Sequence, residues 1–353
     1  MMPLTRWWAS VRCGPITKKR EARLSQMQST TQPMVTRGGS SMSIYQEYND
    51  LFDKEIVQKS KGIVFAFSPI EDKYKFHPYG HAVLDTSVED LAGLMRHNLL
   101  FYAFGEEEVV RLYNEDIFSS LEKAAKYAYR QRLPKRADIM DGLPSEALLD
   151  LLVQIYNPNA YKLAVRTLLR QDDNNEIKGY DLTYFTKDKA GLTLWLGQAK
   201  LGSKEYCKSS INDDLLKKYT PEYLLKQLFF VCDKRVEITN DAKEILSDID
   251  HLNILMLEED DVSRADALID YFKKRNIKIK IPCLLAYGDG SVYHDSDQVC
   301  AQIQFEVDSI RRYYSKHTYL FNGMVPEIIF CIFPIESIER LRNKENGFYA
   351  GLC

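Results

Sequence analysis

The chain has 353 residues, of which 45% are hydrophobic and 27% are charged, and its formal net charge is −3. This is ordinary globular composition, sufficient for one large domain or two smaller ones. The slight acidic excess argues against tight binding to nucleic acid by the isolated chain, because free-standing DNA-binding proteins are usually basic.

Several further classes are excluded by the absence of their patterns. The seven cysteines form no CxxC pair, which argues against a zinc knuckle or a disulfide framework and favours a reducing cytoplasm. No apolar run approaches the roughly 18 residues of a membrane span. The sequence has no Walker A loop, so the chain is not itself expected to be a helicase or an ATPase.

Residues 1–41 differ in composition from the rest of the chain. They are rich in Arg, Ser and Thr, and Glu21 is their one acidic residue. The segment is predicted to be disordered, or to be sequence translated upstream of a real start at Met42. A transit peptide is a third interpretation.

Residues 42–136 have the patterns of an N-terminal subdomain of helices and strands. The segment FHPYGH contains Pro78 and Gly80 and is predicted to be a loop, which argues against a metal site at His77 and His81. Basic residues close this region, and they form either a solvated helix end or a rim that faces phosphate: Arg130, Arg132, Lys135 and Arg136.

A strong helix is predicted in the sequence DGLPSEALLDLLVQIY. Pro144 suits the first turn of a helix, and the leucines that follow have helical spacing. Glu146 lies in that first turn, where an acidic side chain is most often a partner of the helix dipole.

Two strands joined by a short polar turn are predicted within EIKGYDLTYFTKDKAGLTLWLGQAKL, residues 176–201. Side chains alternate along a strand, so the second arm places on one face Leu192, Leu194, Leu196, Gln198 and Lys200. With the turn centred between Lys189 and Ala190, Asp181 lies directly across from Gln198, with the Cβ atoms roughly 5 Å apart.

The three polar residues Asp181, Gln198 and Lys200 are therefore predicted to meet at the end of an apolar hairpin. A carboxylate and an amide oxygen are ligands of hard divalent cations, and a lysine beside them can orient water and neutralise phosphate. The alternative is an ordinary surface ion pair between the Asp and the Lys.

Helices and strands continue to the C-terminus. The apolar segment LNILMLEED is predicted to be a strand, and so are IKIKIPCLLAYGD and VPEIIFCIFPI, of which the last is apolar enough to be buried on both faces. Residues 291–353 are predicted to form a helix, a strand and a helix that pack on the core.

The amino-acid sequence of the hairpin resembles a known signature. GYD followed by LWLGQAK resembles the PD-(D/E)xK nucleases, in which an Asp on one strand precedes Glu-x-Lys or Gln-x-Lys on the next. More narrowly, GYDLTYF and LWLGQAKLG are similar to HamA, the nuclease family of the Hachiman anti-phage defence system. That family usually has Glu where this chain has Gln198.

The resemblance implies an α/β fold with a PD-(D/E)xK (restriction-endonuclease-like) core at residues 137–290, in which a mixed central sheet is flanked by helices and extended by an N-terminal helical and strand layer. It implies Mg²⁺ or Mn²⁺ held by Asp181, Gln198 and Glu146, with Lys200 orienting the attacking water. Asp150, one turn after Glu146, is the alternative acidic residue. The implied partners are DNA and a helicase subunit similar to HamB, with no role for a membrane.

Function is thus predicted to be that of a metal-dependent DNA endonuclease in anti-phage defence. Two alternatives stay open. In the first, the chain is a catalytically weakened DNA-binding or scaffolding subunit with a decayed nuclease fold. In the second, it is a restriction or repair nuclease unrelated to Hachiman.

Overall fold

The computed structural model describes residues 44–133, 142–165, 179–189, 191–233, 240–321 and 323–352. The predicted N-terminal extension therefore lies outside the described residues, as do Lys135, Arg136 and the first residues of the hairpin sequence. Among the described residues, no helix combines the length and the apolar character that crossing a membrane requires.

The first half of the chain is mainly helical. Helix α1 (Ile44–Phe52) continues through a π-helical turn (Asp53–Val57) into a short helical segment (Gln58–Ser60). Within the described ranges, five more helices precede the hairpin: α2 (Ser87–His97), α3 (Leu99–Ala103), α4 (Glu106–Asn114), α5 (Leu121–Tyr127) and α6 (Leu143–Tyr156). Pro144 lies in the first turn of α6, as predicted.

In the part of the chain that the structure describes, eight strands form one mixed sheet in the order β1-β3-β8-β7-β6-β5-β4, with β2 paired to β3. The strands are β1 (Val64–Ala66), β2 (Ile70–Glu71), β3 (Lys75–His81), β4 (Tyr161–Lys162), β5 (Leu182–Asp188), β6 (Gly191–Gly202), β7 (Lys278–Gly288) and β8 (Glu327–Ile335). The central strands β3, β8, β7 and β6 are parallel to one another, whereas the outer strands pair antiparallel.

The helices of the second half follow the hairpin. They are α7 (Lys204–Lys217), α8 (Pro221–Asp233), α9 (Asn240–Leu255), α10 (Asp261–Lys274), α11 (Val299–Tyr314) and α12 (Ile338–Arg342). The Thr220 side chain accepts a hydrogen bond from the Tyr223 N–H, so Thr220 caps the N-terminus of α8.

The sheet separates two apolar cores. The first core contains buried side chains of helices α1 to α6 together with Trp195, Ala199 and Leu201 of β6. The second contains buried side chains of α7 to α11 together with Leu194 and Leu196 of the same strand. Because side chains alternate along β6, this strand contributes to both cores, and Gln198 and Lys200 point to the second.

The predicted hairpin register is confirmed. Asp188 pairs with Gly191 and Leu182 pairs with Gly197, and the same register places Asp181 level with Gln198. Gly191 has a φ of 122°, a backbone conformation that residues other than glycine rarely adopt. The glycine at position 191 therefore allows the chain to reverse direction at the start of β6.

The mixed α/β fold with a sheet flanked by helices is also confirmed, whereas the narrower PD-(D/E)xK core and the domain boundaries stay predictions. One sheet includes strands from all three predicted segments of residues 42–353. β7 and β8 are strands as predicted, and the interior of β8 is buried along its length.

Two predicted elements were wrong. FHPYGH is not a loop but forms most of β3, between β1 and β8. LNILMLEED is not a strand, because its first residues complete helix α9 and the rest form turns. Leu246 and Ile249 are buried and Leu252 packs against the same core, so the spacing of three residues that marks a helix continues into that segment.

His81 lies on β3 and serves the packing of the fold. Its Nε2 accepts a hydrogen bond from the Glu336 N–H at 3.0 Å, and its Nδ1 lies 2.8 Å from the Ala82 carbonyl oxygen. His77 is four residues away on the strand, a separation of about 13 Å, so the two rings cannot share a metal. Burial lowers the pKa of His81 to about 4.

A pH dependence of stability follows from His81. The folded state favours the neutral ring, whereas the unfolded chain has a pKa of about 6.5. This contribution is complete above pH 6.5 and is lost as the pH falls towards 4, and the loss should reach about 2–3 kcal/mol. Urea unfolding at pH 7.5 and pH 4.5 measures it. His81→Gln should lose less stability than the wild type, and an equal loss in both proteins would contradict the assignment.

Candidate functional site

The candidate site lies where the hairpin ends. Asp181 immediately precedes β5, and its N–H donates a hydrogen bond to the Gly197 carbonyl oxygen at 2.9 Å. Its carboxylate accepts a hydrogen bond from the Ala199 N–H at 2.8 Å. Both contacts reach the neighbouring strand, so backbone pairing fixes Asp181 beside the residues that flank Ala199, which are Gln198 and Lys200.

Gln198 is fully buried in the middle of the sheet. Its Nε2 lies 3.4 Å from the Gly179 carbonyl oxygen, to which it donates. Its Oε1 accepts a hydrogen bond from the Lys218 ammonium at 3.0 Å. The amide oxygen predicted to hold a metal is therefore directed at a positive charge.

Lys200 belongs to an ion-pair cluster that also includes a residue of α7. The Lys200 Nζ lies 2.7 Å from Oδ2 of Asp214, and the Lys218 Nζ lies 3.2 Å from Oδ1 of the same carboxylate. All three side chains are less than a quarter exposed. With Asp181 nearby, two aspartates and two lysines balance in formal charge, so the patch is neutral overall.

The electrostatics keep Lys200 charged. Burial alone would lower the pKa of Lys200, but the hydrogen bond to Asp214 and the charges of Asp181 and Asp214 outweigh it and raise the pKa above its usual value. Lys200 is therefore an ammonium at neutral pH. Such a group can pair with phosphate and orient water, but it is not a proton acceptor at that pH.

The structure brings Asp181, Gln198 and Lys200 together and places Glu146 elsewhere. Glu146 is buried on α6, a helix of the first core, and accepts a hydrogen bond from the Tyr102 hydroxyl at 2.7 Å. Gln198 and Lys200 point to the second core, on the other face of the sheet. By these contacts Glu146 belongs to the packing of the helical layer.

Asp150, the alternative acidic residue, is also buried on the first face. Its Oδ2 accepts hydrogen bonds from the Asn98 amide at 2.8 Å and the Gln154 amide at 2.7 Å. Its Oδ1 accepts one from the Tyr184 hydroxyl. Asp150 therefore joins helix α6 to β5 and to the junction between α2 and α3 through three side-chain donors.

The predicted basic rim is only partly described. The Arg130 Nε donates to the Leu352 carbonyl oxygen at 3.1 Å, and the Arg132 guanidinium stacks over the Phe104 ring at 4.7 Å. Both arginines thus make contacts within the chain. A role towards phosphate stays a prediction.

Two residues of the cluster, Asp214 and Lys218, were missed from the sequence. They lie four residues apart on the segment INDDLLKK, which has the spacing of an ion pair along a helix. That signal marks the pair but not its neighbours. Only the return of α7 across β6 brings it to Gln198 and Lys200.

The donor types of this patch suit a hard divalent cation. Asp181 and Asp214 offer carboxylates and Gln198 an amide oxygen, which are the groups that Mg²⁺ accepts. Within the described ranges, no three His, Cys, Asp or Glu side chains come together as a metal-binding group. A metal here would therefore rest on two carboxylates and the amide.

The fold and site define a mixed α/β protein with a compact polar cluster at the end of a central hairpin. Comparison with protein families gives a match to the family described as HamA over residues 47–352. The chain therefore belongs to the HamA family, and this membership fits a role in anti-phage defence. A comparison with curated protein sequences gives no match.

Proposed function

We propose that this protein is a metal-dependent deoxyribonuclease that acts in anti-phage defence together with a helicase similar to HamB. The observation that carries the proposal is the convergence of Asp181, Gln198 and Lys200 at the hairpin end. The order of these residues, an Asp before one strand and Gln-x-Lys on the next, is that of the PD-(D/E)xK signature. Helix α6 precedes the hairpin, as the same core requires.

The reaction is hydrolysis of a DNA phosphodiester bond. Water attacks phosphorus and loses a proton to solvent, the bond to the leaving oxygen breaks, and that oxygen takes a proton from solvent. Negative charge develops on the phosphate oxygens during the step. Asp181 and Gln198 would hold Mg²⁺ or Mn²⁺, which supplies Lewis-acid activation when bound. The Lys200 ammonium neutralises the developing charge and orients the water. Because the net charge of the chain is −3, we expect it to bind DNA weakly alone and to gain much of its DNA affinity from the complex with the helicase.

A direct test is degradation of supercoiled plasmid with Mg²⁺, with and without the helicase partner. The wild type should degrade DNA, and Lys200→Ala should be slower by about a hundredfold or more, the usual effect of losing one group that stabilises transition-state charge. Lys217→Ala is the matched control, because its side chain is 74% exposed and pairs with Asp213. Equal rates for the wild type and Lys200→Ala would rule out the catalytic assignment.

A non-catalytic scaffold is the second candidate function, and one observation favours it. The Gln198 amide is buried, and its oxygen is bonded to Lys218 rather than open to a ligand. A neutral amide also offers less charge to a hard cation than a carboxylate does. Calorimetry with Mn²⁺ separates the two functions, because a scaffold should show no binding that depends on Asp181.

A further inference from the structure

The Lys218 ammonium lies in an unusual position for a lysine at the end of a helix. It lies 3.0 Å from the Gln198 amide oxygen and 3.2 Å from an oxygen of Asp214. Gln198 is fully buried, and the Asp214 side chain is 14% exposed. A carboxylate oxygen and an amide oxygen thus face each other across a point that a cation already occupies.

The two oxygens and the ammonium differ in their freedom to move. Gln198 is fixed by β6, which is paired on both sides, and Asp214 by α7, which packs on β6 and β7. Lys218 follows the last residue of α7 and carries a flexible four-carbon stem, and its side chain is 24% exposed. Its ammonium can reach water by rotation of that stem, whereas Gln198 is fully buried and Asp214 has a short side chain, so their oxygens have less freedom to move.

We propose that Lys218 is the internal cation of this site and that a divalent cation competes with it. In the metal-free protein the ammonium holds Asp214 and Gln198 together. Mg²⁺ or Mn²⁺ binds to these two residues, with Asp181 beside them, when the ammonium leaves. The inference rests on the proposed function for the identity of the ligand, and it assigns to Asp214 the second carboxylate that the sequence had assigned to Glu146.

Charge explains why the exchange is possible. A divalent cation interacts with the Asp214 carboxylate about twice as strongly as an ammonium at the same distance. Lys200 keeps its own oxygen of Asp214, at 2.7 Å, so the carboxylate still orients Lys200 after Lys218 has left. Lys218 therefore sets how much metal the site requires without taking part in the chemistry.

The test uses the full chain and its thermal melting at increasing Mn²⁺ concentrations. Lys218→Met keeps an unbranched stem but removes the charge. It should melt at a lower temperature than the wild type without metal and should reach half of its metal-induced shift at a concentration at least about tenfold lower, because a competing unit charge has been removed. Lys217→Met is the matched control and should respond like the wild type, since Lys217 is exposed and pairs with Asp213.

A second variant guards against a folding defect. Lys218→Gln lacks the charge but can still donate hydrogen bonds to Asp214 and Gln198, and it should shift the Mn²⁺ response in the same direction. Asp214→Asn should abolish the response. If both Lys218 variants respond to Mn²⁺ as the wild type does, or if no variant responds at all, the inference is overturned.

The outcome is separable from that of the plasmid assay. A stronger Mn²⁺ response in Lys218→Met without DNA cleavage would support Lys218 as the internal cation and count against the nuclease. Cleavage by the wild type with an unchanged Mn²⁺ response in both Lys218 variants would support the nuclease and count against Lys218 as the internal cation.

Discussion

Replacing Asp150 with alanine should lower the free energy of unfolding by about 3–5 kcal/mol, because three buried donors lose their acceptor at about 1–3 kcal/mol each, partly relieved by repacking. The donors are the Asn98 and Gln154 amides and the Tyr184 hydroxyl. Burial and the charge of Asp150 also raise the pKa of Tyr184, so the hydroxyl remains a donor at all relevant pH values.

The network around Asp150 extends further through the first core. The Tyr48 hydroxyl donates to the Gln154 amide oxygen at 2.5 Å, and the Lys162 ammonium donates to that hydroxyl at 3.3 Å. The Lys162 N–H also donates to the Glu106 carboxylate at 2.8 Å. Loss of Asp150 therefore weakens the contact between α6 and the strands that support the hairpin.

Urea unfolding measures this effect. Asp150→Asn keeps the shape and one acceptor oxygen, so its loss should be smaller than that of Asp150→Ala. Asp213→Ala is a surface control, since the Asp213 side chain is 59% exposed, and should lie within about 0.5 kcal/mol of the wild type. An Asp150→Ala protein within 1 kcal/mol of the wild type, on the order of one ordinary hydrogen bond, would show that the network is not structural.

The second large effect is expected from Gln198→Glu. Without metal, the variant should be less stable by about 1–3 kcal/mol, because a charge is buried and the amide donor to the Gly179 carbonyl is lost. Lys218 offsets part of that cost, since a charge-assisted hydrogen bond is stronger than a neutral one. With millimolar Mg²⁺ the order should reverse, because a divalent cation gains more from the added charge than the ammonium does.

Thermal melting with a chelator and with millimolar Mg²⁺ tests the reversal. Gln154→Glu is the control, since it adds the same charge to a buried glutamine on the other face of the sheet. It should be destabilised beside Asp150 and should gain nothing from Mg²⁺. If Mg²⁺ stabilises Gln198→Glu no more than it stabilises the wild type, residue 198 does not contact the metal.

Elements with strong local patterns could be predicted from the sequence. The alternation in LTLWLGQAK and the short polar turn before it were sufficient to predict the register of the hairpin, because both depend on neighbouring residues alone. Pro144 and the leucines that follow it marked α6 for the same reason. The apolar run of β8 was sufficient to predict a buried strand, because strands buried on both faces are apolar throughout.

Elements whose structure depends on distant partners could not be predicted in this way. FHPYGH is a strand because β1 and β8 pair with it on both sides. A Cβ atom at Gly80 would lie 2.9 Å from Ile303 of α11, so this glycine allows close helix packing rather than a turn. LNILMLEED is as apolar as a strand, yet Ile254, Leu255 and Leu257 are exposed.

Strand alternation and hairpin register are local properties, so the residue pattern alone was sufficient to place Gln198 and Lys200 on one face with three leucines and Asp181 level with Gln198. The charges that complete the site come from the end of the helix that follows β6, so their identity depends on tertiary packing. Helix α7 folds back over β6 and brings Asp214 and Lys218 to the patch, while α6 holds Glu146 on the opposite face. Such contacts depend on how a helix packs across a sheet, and spacing along the chain does not encode that path.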